Sequence, residues 1–228
     1  MNYLIINTAS INSQICLAIN DKVIIENLCD SHSEHLLPAI DKILGENNLN
    51  VKDINCFGVN VGPGSFTGIR IGVSTIKAFL VATNEKCISF NSFDILSYNI
   101  KENNYIVMFN SGNNDYYYAV YKSGICETQS VGSLEEISNL SKQLNLTIYA
   151  TEVNDNFGNY NIKLIDVASD SIYQIAKKKF EENQVVEINQ LCPIYIKRSQ
   201  AENFYEEKIA KGLKIEKCKD YKSYQLQL

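Results

Sequence analysis

Asn55-Cys56-Phe57-Gly58-Val59-Asn60-Val61 runs straight into Gly62-Pro63-Gly64-Ser65-Phe66-Thr67-Gly68-Ile69-Arg70, and this junction decides the architecture. The first seven residues are a short apolar run of the kind that forms a buried strand. Two glycines around a proline then predict a tight turn, and Ser65 is placed to cap a helix from about Ser65 to Thr83. Strand, glycine-rich turn and helix N-terminus together make a general anion-binding arrangement, because free backbone N–H groups converge there. The known phosphate codes do not fit it. There is no Lys-Ser/Thr pair for a P-loop, and Gly62, Gly64 and Gly68 give GxGxxxG, one residue off the dinucleotide fingerprint. A nucleophile elbow would need glycine where Pro63 stands. Asn7, Thr8, Gly62, Gly64 and Ser65 remain candidates for a nucleotide-proximal role.

Gly68 and Gly72 lie one turn apart inside the same helix, where each costs about 1 kcal/mol relative to alanine. Small residues at that spacing let another backbone approach closely. Two readings stay open: packing against the lobe's own sheet, or docking of a partner. On the docking reading Arg70 offers a fork to a partner's carboxylate or carbonyl, and a bulky Gly72→Leu change blocks the partner while leaving the lobe folded.

Outward from the junction, Tyr3 to Ala9, Gln14 to Asn20 and Lys22 to Cys29 read as three consecutive strands, antiparallel because their connections are too short for crossovers. A helix from about Ser33 to Asn47 follows, with Leu36, Leu37, Ile40, Ile43 and Leu44 at helical spacing and Ser31 or Ser33 as cap. After the junction come a strand, Lys86 to Phe90, and a short helix, Ser92 to Ile100. Polar Lys101-Glu102-Asn103-Asn104 breaks the pattern, which then restarts. Strands are expected at Tyr105 to Phe109, Asp115 to Tyr121, Ile125 to Val131, Leu146 to Thr151 and Asn161 to Val167. Helices are expected at Ser133 to Leu144 and Ala168 to Glu182. Both halves follow β-β-β-α-β-α, so the expectation is a duplicated α/β fold with a mixed sheet in each lobe, residues 1–102 and 103–228.

The formal charge of −5 argues against tight binding of nucleic acid by the chain alone. After Cys192 the chain carries eight basic and five acidic residues, a charge-rich tail. No stretch approaches the roughly 20 apolar residues of a membrane span, and the N-terminus reads as a first strand rather than a secretion signal. Seven scattered cysteines, none in CxxC spacing, fit a reducing cytoplasm and argue against a disulfide framework or zinc site. His32 and His35 could share a metal at i, i+3, but no third ligand is identifiable, so capping or interface roles suit them better. The carboxylates are spread over surface-like positions, and Ser65 has no base partner fixed by sequence. Lys177-Lys178-Lys179 followed by Glu181-Glu182 describes a solvated helix face.

With those residues in hand, the chain resembles the TsaB (YeaZ) family, glycoprotease-like relatives of the actin/hexokinase-type (ASKHA) ATPases, whose lobes are ribonuclease H-like. The resemblance rests on Ile5-Ile6-Asn7-Thr8-Ala9-Ser10, on His32-Ser33-Glu34-His35-Leu36-Leu37-Pro38, and above all on Gly62 through Gly72. Pro193-Ile194-Tyr195-Ile196-Lys197-Arg198 is similar to the family's closing Pro-x-Tyr-x-Arg segment. The match is good over the first hundred residues and loose beyond.

This resemblance implies a noncatalytic role without a metal or cofactor of its own. It points to pairing with TsaD, which carries metal and substrate, and to work with the ATPase TsaE in threonylcarbamoyl transfer to the adenosine beside the anticodon. Contact with tRNA would be indirect, through the complex. The family's first-lobe helices meet TsaD or a second copy. Here that places His32, Glu34, Leu36, Leu37, Ser65, Phe66, Gly68, Ile69, Arg70, Gly72, Val73 and Ile76 at the interface. Asn7 stands where the family usually has Asp, which weakens independent ATP hydrolysis, and Asn110-Ser111-Gly112 replaces the usual Asp-Ala-Arg. An autonomous metallopeptidase-like or ATP-dependent enzyme of the same superfamily is the competing reading, and a homodimer with a separate binding role is a third.

Overall fold

The computed structural model describes residues 1–10, 13–28, 32–152, 157 and 160–197, with the side chains of His32 and Ser33 outside that set. Strands β1 (Asn2–Asn7), β2 (Ser13–Ile19) and β3 (Lys22–Leu28) open the chain, followed by helix α1 (His32–Glu46), β4 (Cys56–Asn60), α2 (Phe66–Thr83), β5 (Lys86–Phe90) and α3 (Ser92–Ser97). The second half supplies β6 (Tyr105–Gly112), β7 (Asp115–Lys122), β8 (Ile125–Ser133), α4 (Leu134–Leu144), β9 (Thr147–Ala150), β10 (Ile162–Leu164) and α5 (Ser171–Glu181).

Tight turns set the meanders. Asn20-Asp21, Asn113-Asn114 and Ser123-Gly124 all have positive φ, the left-handed pair that matches the twist of two-residue hairpins. Parallel additions then complete each sheet, β4 and β5 beside β1, β9 and β10 beside β6. The orders β3-β2-β1-β4-β5 and β8-β7-β6-β9-β10 are the same topology twice. This is the duplicated, mixed-sheet architecture expected from the sequence.

Both faces of the first sheet are covered, so its central strands read as continuous apolar runs rather than alternating ones. Leu4 and Ile6 of β1 point into a core shared with α1 and α2, while Tyr3 and Ile5 point into another. That second core is closed by α5 through Ile172, Tyr173, Ile175 and Ala176. Although it follows the second sheet in sequence, α5 therefore covers the first. Both sheets belong to one compact unit, Met1–Ile196; of the second unit, Lys197–Leu228, only Lys197 is described. The C-terminal tail, Arg198 of the closing motif, Ser31, Cys29 and Cys218 lie outside the described residues.

Among the described residues α2 is the one helix long and apolar enough to cross a membrane by length and composition. Its apolar stripe, Ile69, Val73, Ile76 and Leu80, is buried in the first core, which accounts for that composition. Cys16, Cys56 and Cys87 are buried and unbridged, and burial pushes their thiols up to about 12, so they serve as small apolar side chains.

The β2–β3 hairpin is tied to α5 at its tip. Lys177 Nζ donates to Asp21 Oδ1 at 2.7 Å, and the Tyr173 hydroxyl donates to the same oxygen. The Lys177 bond first, and the Tyr173 bond second, hold the Asp21 carboxyl below its usual range. A depressed carboxylate stabilises the fold above its unfolded value, about 3.9, and that contribution disappears as pH falls through the folded value. Thermal melts across pH should therefore show a steeper acid-side loss for the native chain than for Asp21→Asn, which keeps the left-handed turn residue. Parallel profiles would dismiss the link.

Candidate functional site

The glycine-rich turn is where the β1–β2 and β4–α2 connections meet. Strand β4 ends at Asn60, a polar residue that is 1% exposed inside an otherwise apolar strand. Its carboxamide is fully used. Nδ2 donates to Asn7 Oδ1 and to Ser92 Oγ, both at 3.0 Å, and Oδ1 accepts from Gly62 N at 2.9 Å. Ser92 Oγ donates in turn to the Pro63 carbonyl at 2.6 Å, and Ser92 N donates to the Gly62 carbonyl at 2.9 Å. Asn7 Oδ1 also accepts from Ala9 N at 3.2 Å. This knot fixes the turn to β1, β4 and the start of α3 at once.

The mouth of the turn is filled by the chain itself. Ser65 N donates to the Ala9 carbonyl at 2.7 Å, and a Cβ on Gly64 would lie 2.1 Å from that oxygen. Ser65 Oγ caps α2 by accepting from Gly68 N at 3.2 Å. Thr8, fully buried, donates from Oγ1 to the Gly68 carbonyl at 2.7 Å. Two of the backbone donors at this helix start, those of Ser65 and Gly68, thus face a peptide oxygen and the cap of the same chain.

The spacing of Gly68 and Gly72 has the same origin. A Cβ on Gly68 would meet the Thr8 carbonyl oxygen at 2.0 Å, and one on Gly72 would meet Thr8 Oγ1 at 2.3 Å. Both glycines are buried against β1 and its following turn. The reading of this face as a docking surface is corrected accordingly: it is an internal contact, and Gly72→Leu would strike Thr8 before it met any partner. Ile69, Val73 and Ile76 on α2, and Leu36 on α1, also point into the first core and are not available at the surface. Four of the residues assigned to an interface do face outward: Glu34 and Leu37 on α1, Phe66 and Arg70 on α2. His35 is exposed beside Glu34, and His32 opens α1.

A strap closes over the turn. Ile194 N donates to the Val61 carbonyl at 2.7 Å, and the Ile194 carbonyl lies so near Gly62 that a Cβ there would come within 2.7 Å of it. Gly62 has φ +109°, in the region that favours glycine. The next residue, Tyr195, accepts a hydrogen bond on its hydroxyl from Arg70 Nε at 2.8 Å. Its ring centroid is 4.7 Å from that of Phe66, over whose face the Arg70 guanidinium sits at 3.8 Å. The sequence assigns no role to Asn60 or Ser92, and Tyr195 stands in it only as part of the closing Pro-x-Tyr segment. A lone Asn in a buried strand was the available signal for the first, since such a carboxamide must find partners.

Among the described residues no group of three or more His, Cys, Asp and Glu side chains could hold a metal ion. What the site does chemically is lock two loops together and present an oriented cation and aromatic pair at the surface.

Comparison with known proteins fits this geometry. The family model described as "TsaD: tRNA N6-adenosine threonylcarbamoyltransferase" matches residues 19–211. The tRNA threonylcarbamoyladenosine biosynthesis protein TsaB of Buchnera aphidicola subsp. Acyrthosiphon pisum is 28% identical over 136 residues, which cover 54% of this chain and 62% of that protein. Its counterpart from Bacillus subtilis is 30% identical over 102 residues, 43% of this chain and 44% of that one. The chain thus spans less than two thirds of the length of these relatives. YeaZ from Pseudomonas aeruginosa superposes with a TM-score of 0.69 at 15% identity, over 85% of this chain and 99% of that structure, a likeness of fold. By the family match across most of its length, together with these relatives, the chain belongs to the threonylcarbamoyltransferase-related family, in its TsaB (YeaZ) group.

Proposed function

We propose that this protein is the noncatalytic scaffold and activating subunit of the bacterial complex that synthesises threonylcarbamoyladenosine in tRNA, pairing with TsaD and acting with TsaE. The observation that carries this reading is the filled turn. Thr8 and Ala9 place their carbonyls against Gly68, Gly64 and Ser65, at the glycine-rich helix start that would otherwise suit an anion. Asn7, in the position the family usually gives to Asp, has its side-chain oxygen bonded to Ala9 and Asn60. On this reading ATP and metal reside on the partner subunits, and tRNA is reached through the complex.

The docking surface is then the outward side of α1 and α2, with Glu34, Leu37, Phe66 and Arg70. Leu37 is 55% exposed, an aliphatic side chain that gains about 1–1.5 kcal/mol when a partner buries the rest of it. Leu37→Glu should weaken TsaD binding by about tenfold or more without lowering the melting temperature. A pull-down with TsaD, followed by a tRNA modification assay with and without this chain, tests the whole proposal. Modification that proceeds equally well in its absence, or a Leu37→Glu variant that co-purifies undiminished, would overturn it. Should the chain self-associate through the same face, added TsaD is expected to dissociate the homodimer.

A further inference from the structure

Arg70 is exposed, yet its guanidinium is held on two sides. Nε is engaged by the Tyr195 hydroxyl at 2.8 Å, and the plane of the group is covered by Phe66 at 3.8 Å. Tyr195 cannot swing freely, because the preceding residue is hydrogen-bonded to Val61 and packed on Gly62. Among the described residues no acidic side chain pairs with Arg70. A guanidinium has five N–H donors in a planar fork, and among the described residues only the one on Nε is taken. The two terminal nitrogens are left for an external acceptor, with much of the side chain's rotamer freedom already surrendered.

We infer that Tyr195 is a positioning residue that holds Arg70 ready for a bidentate pair with a carboxylate on the partner protein. This rests on the docking reading above and gives its chemistry. A planar fork matches a carboxylate. Of the backbone donors a phosphate site would add, those of Ser65 and Gly68 are already bonded to Ala9 and to the Ser65 hydroxyl. The closing Pro-x-Tyr segment acquires a reason for being there: it supplies the hydroxyl that orients a residue 125 positions earlier.

The test uses the full-length chain and TsaD, with affinity measured by titration calorimetry between 50 and 300 mM salt. Tyr195→Phe keeps the ring and the strap and removes only the hydroxyl; it should weaken binding about three- to tenfold with an unchanged melting temperature. Arg70→Gln should cost about 50-fold or more and flatten the salt dependence, whereas Arg70→Lys, a charge without a fork, should recover only part of the loss. Wild-type affinity in Tyr195→Phe and Arg70→Gln would overturn the inference while leaving docking intact. So would losses that track a fall in melting temperature and leave the salt dependence untouched. If Arg70→Gln lost affinity for a tRNA transcript instead and bound TsaD normally, the fork would belong to phosphate and the inference would fail. A wild-type chain that does not bind TsaD at all removes the docking reading and this inference together.

Discussion

Gly68→Ala should unfold the first lobe or come close to it, losing about 3 kcal/mol or more in urea denaturation followed by circular dichroism. The added methyl would sit 2.0 Å from the Thr8 carbonyl oxygen. The obstacle is backbone on both sides: a helix anchored in the core and a strand end whose next peptide bonds Ser65 N. No side-chain rotation relieves it. Gly72→Leu should fail in the same way, since its Cβ alone would displace the Thr8 hydroxyl from the Gly68 carbonyl. Loss of partner binding in that variant would therefore report lost structure rather than a blocked interface. Gly45 in α1 provides the control. A Cβ there meets nothing within 4 Å, so Gly45→Ala should stabilise the chain by up to about 1 kcal/mol through helix propensity. A Gly68→Ala protein as stable as the native one would show that the two backbones do not approach as described.

Asn60→Ala should cost about 2–4 kcal/mol, because it strips the knot of its centre. Three hydrogen bonds go, to Asn7, Ser92 and Gly62, and the Gly62 N–H is left buried without an acceptor. That orphaned donor makes the loss larger than a count of bonds suggests. Ser92→Ala, which keeps the Asn60–Gly62 bond, should cost less, about 1–2 kcal/mol. The ordering of the two variants in chemical denaturation is the check, and an Asn60→Ala loss below that of Ser92→Ala would show that the network is slack.

Much of the fold could be read directly. The Val59-to-Gly72 junction, the break between the second and third strands at Asp21 and the restart after Asn104 all appear at the expected places, because each is set by local chemistry: glycine at positive φ, a serine cap, a left-handed turn residue. The site was only half legible. Gly68 and Gly72 announce a close backbone approach, but a sequence does not say whose backbone approaches, and here it belongs to Thr8, 60 residues away. Likewise α5 carries an ordinary amphipathic stripe, and nothing in that stripe specifies which of two similar sheets it will cover. Tyr195 lay within a motif noted for its resemblance alone; its bond to Arg70 spans both halves of the chain.

The filled turn has one more consequence, concerning what sets its geometry. A cradle occupied by a dissolved ligand changes shape with the concentration of that ligand, and its stability varies with it. Here the occupants are the carbonyls of Thr8 and Ala9, delivered by the end of β1. Tethering fixes their effective concentration at the turn, so occupancy is established once, during folding. The start of α2, with Phe66 and Arg70 on its outer side, thereby keeps a constant presentation.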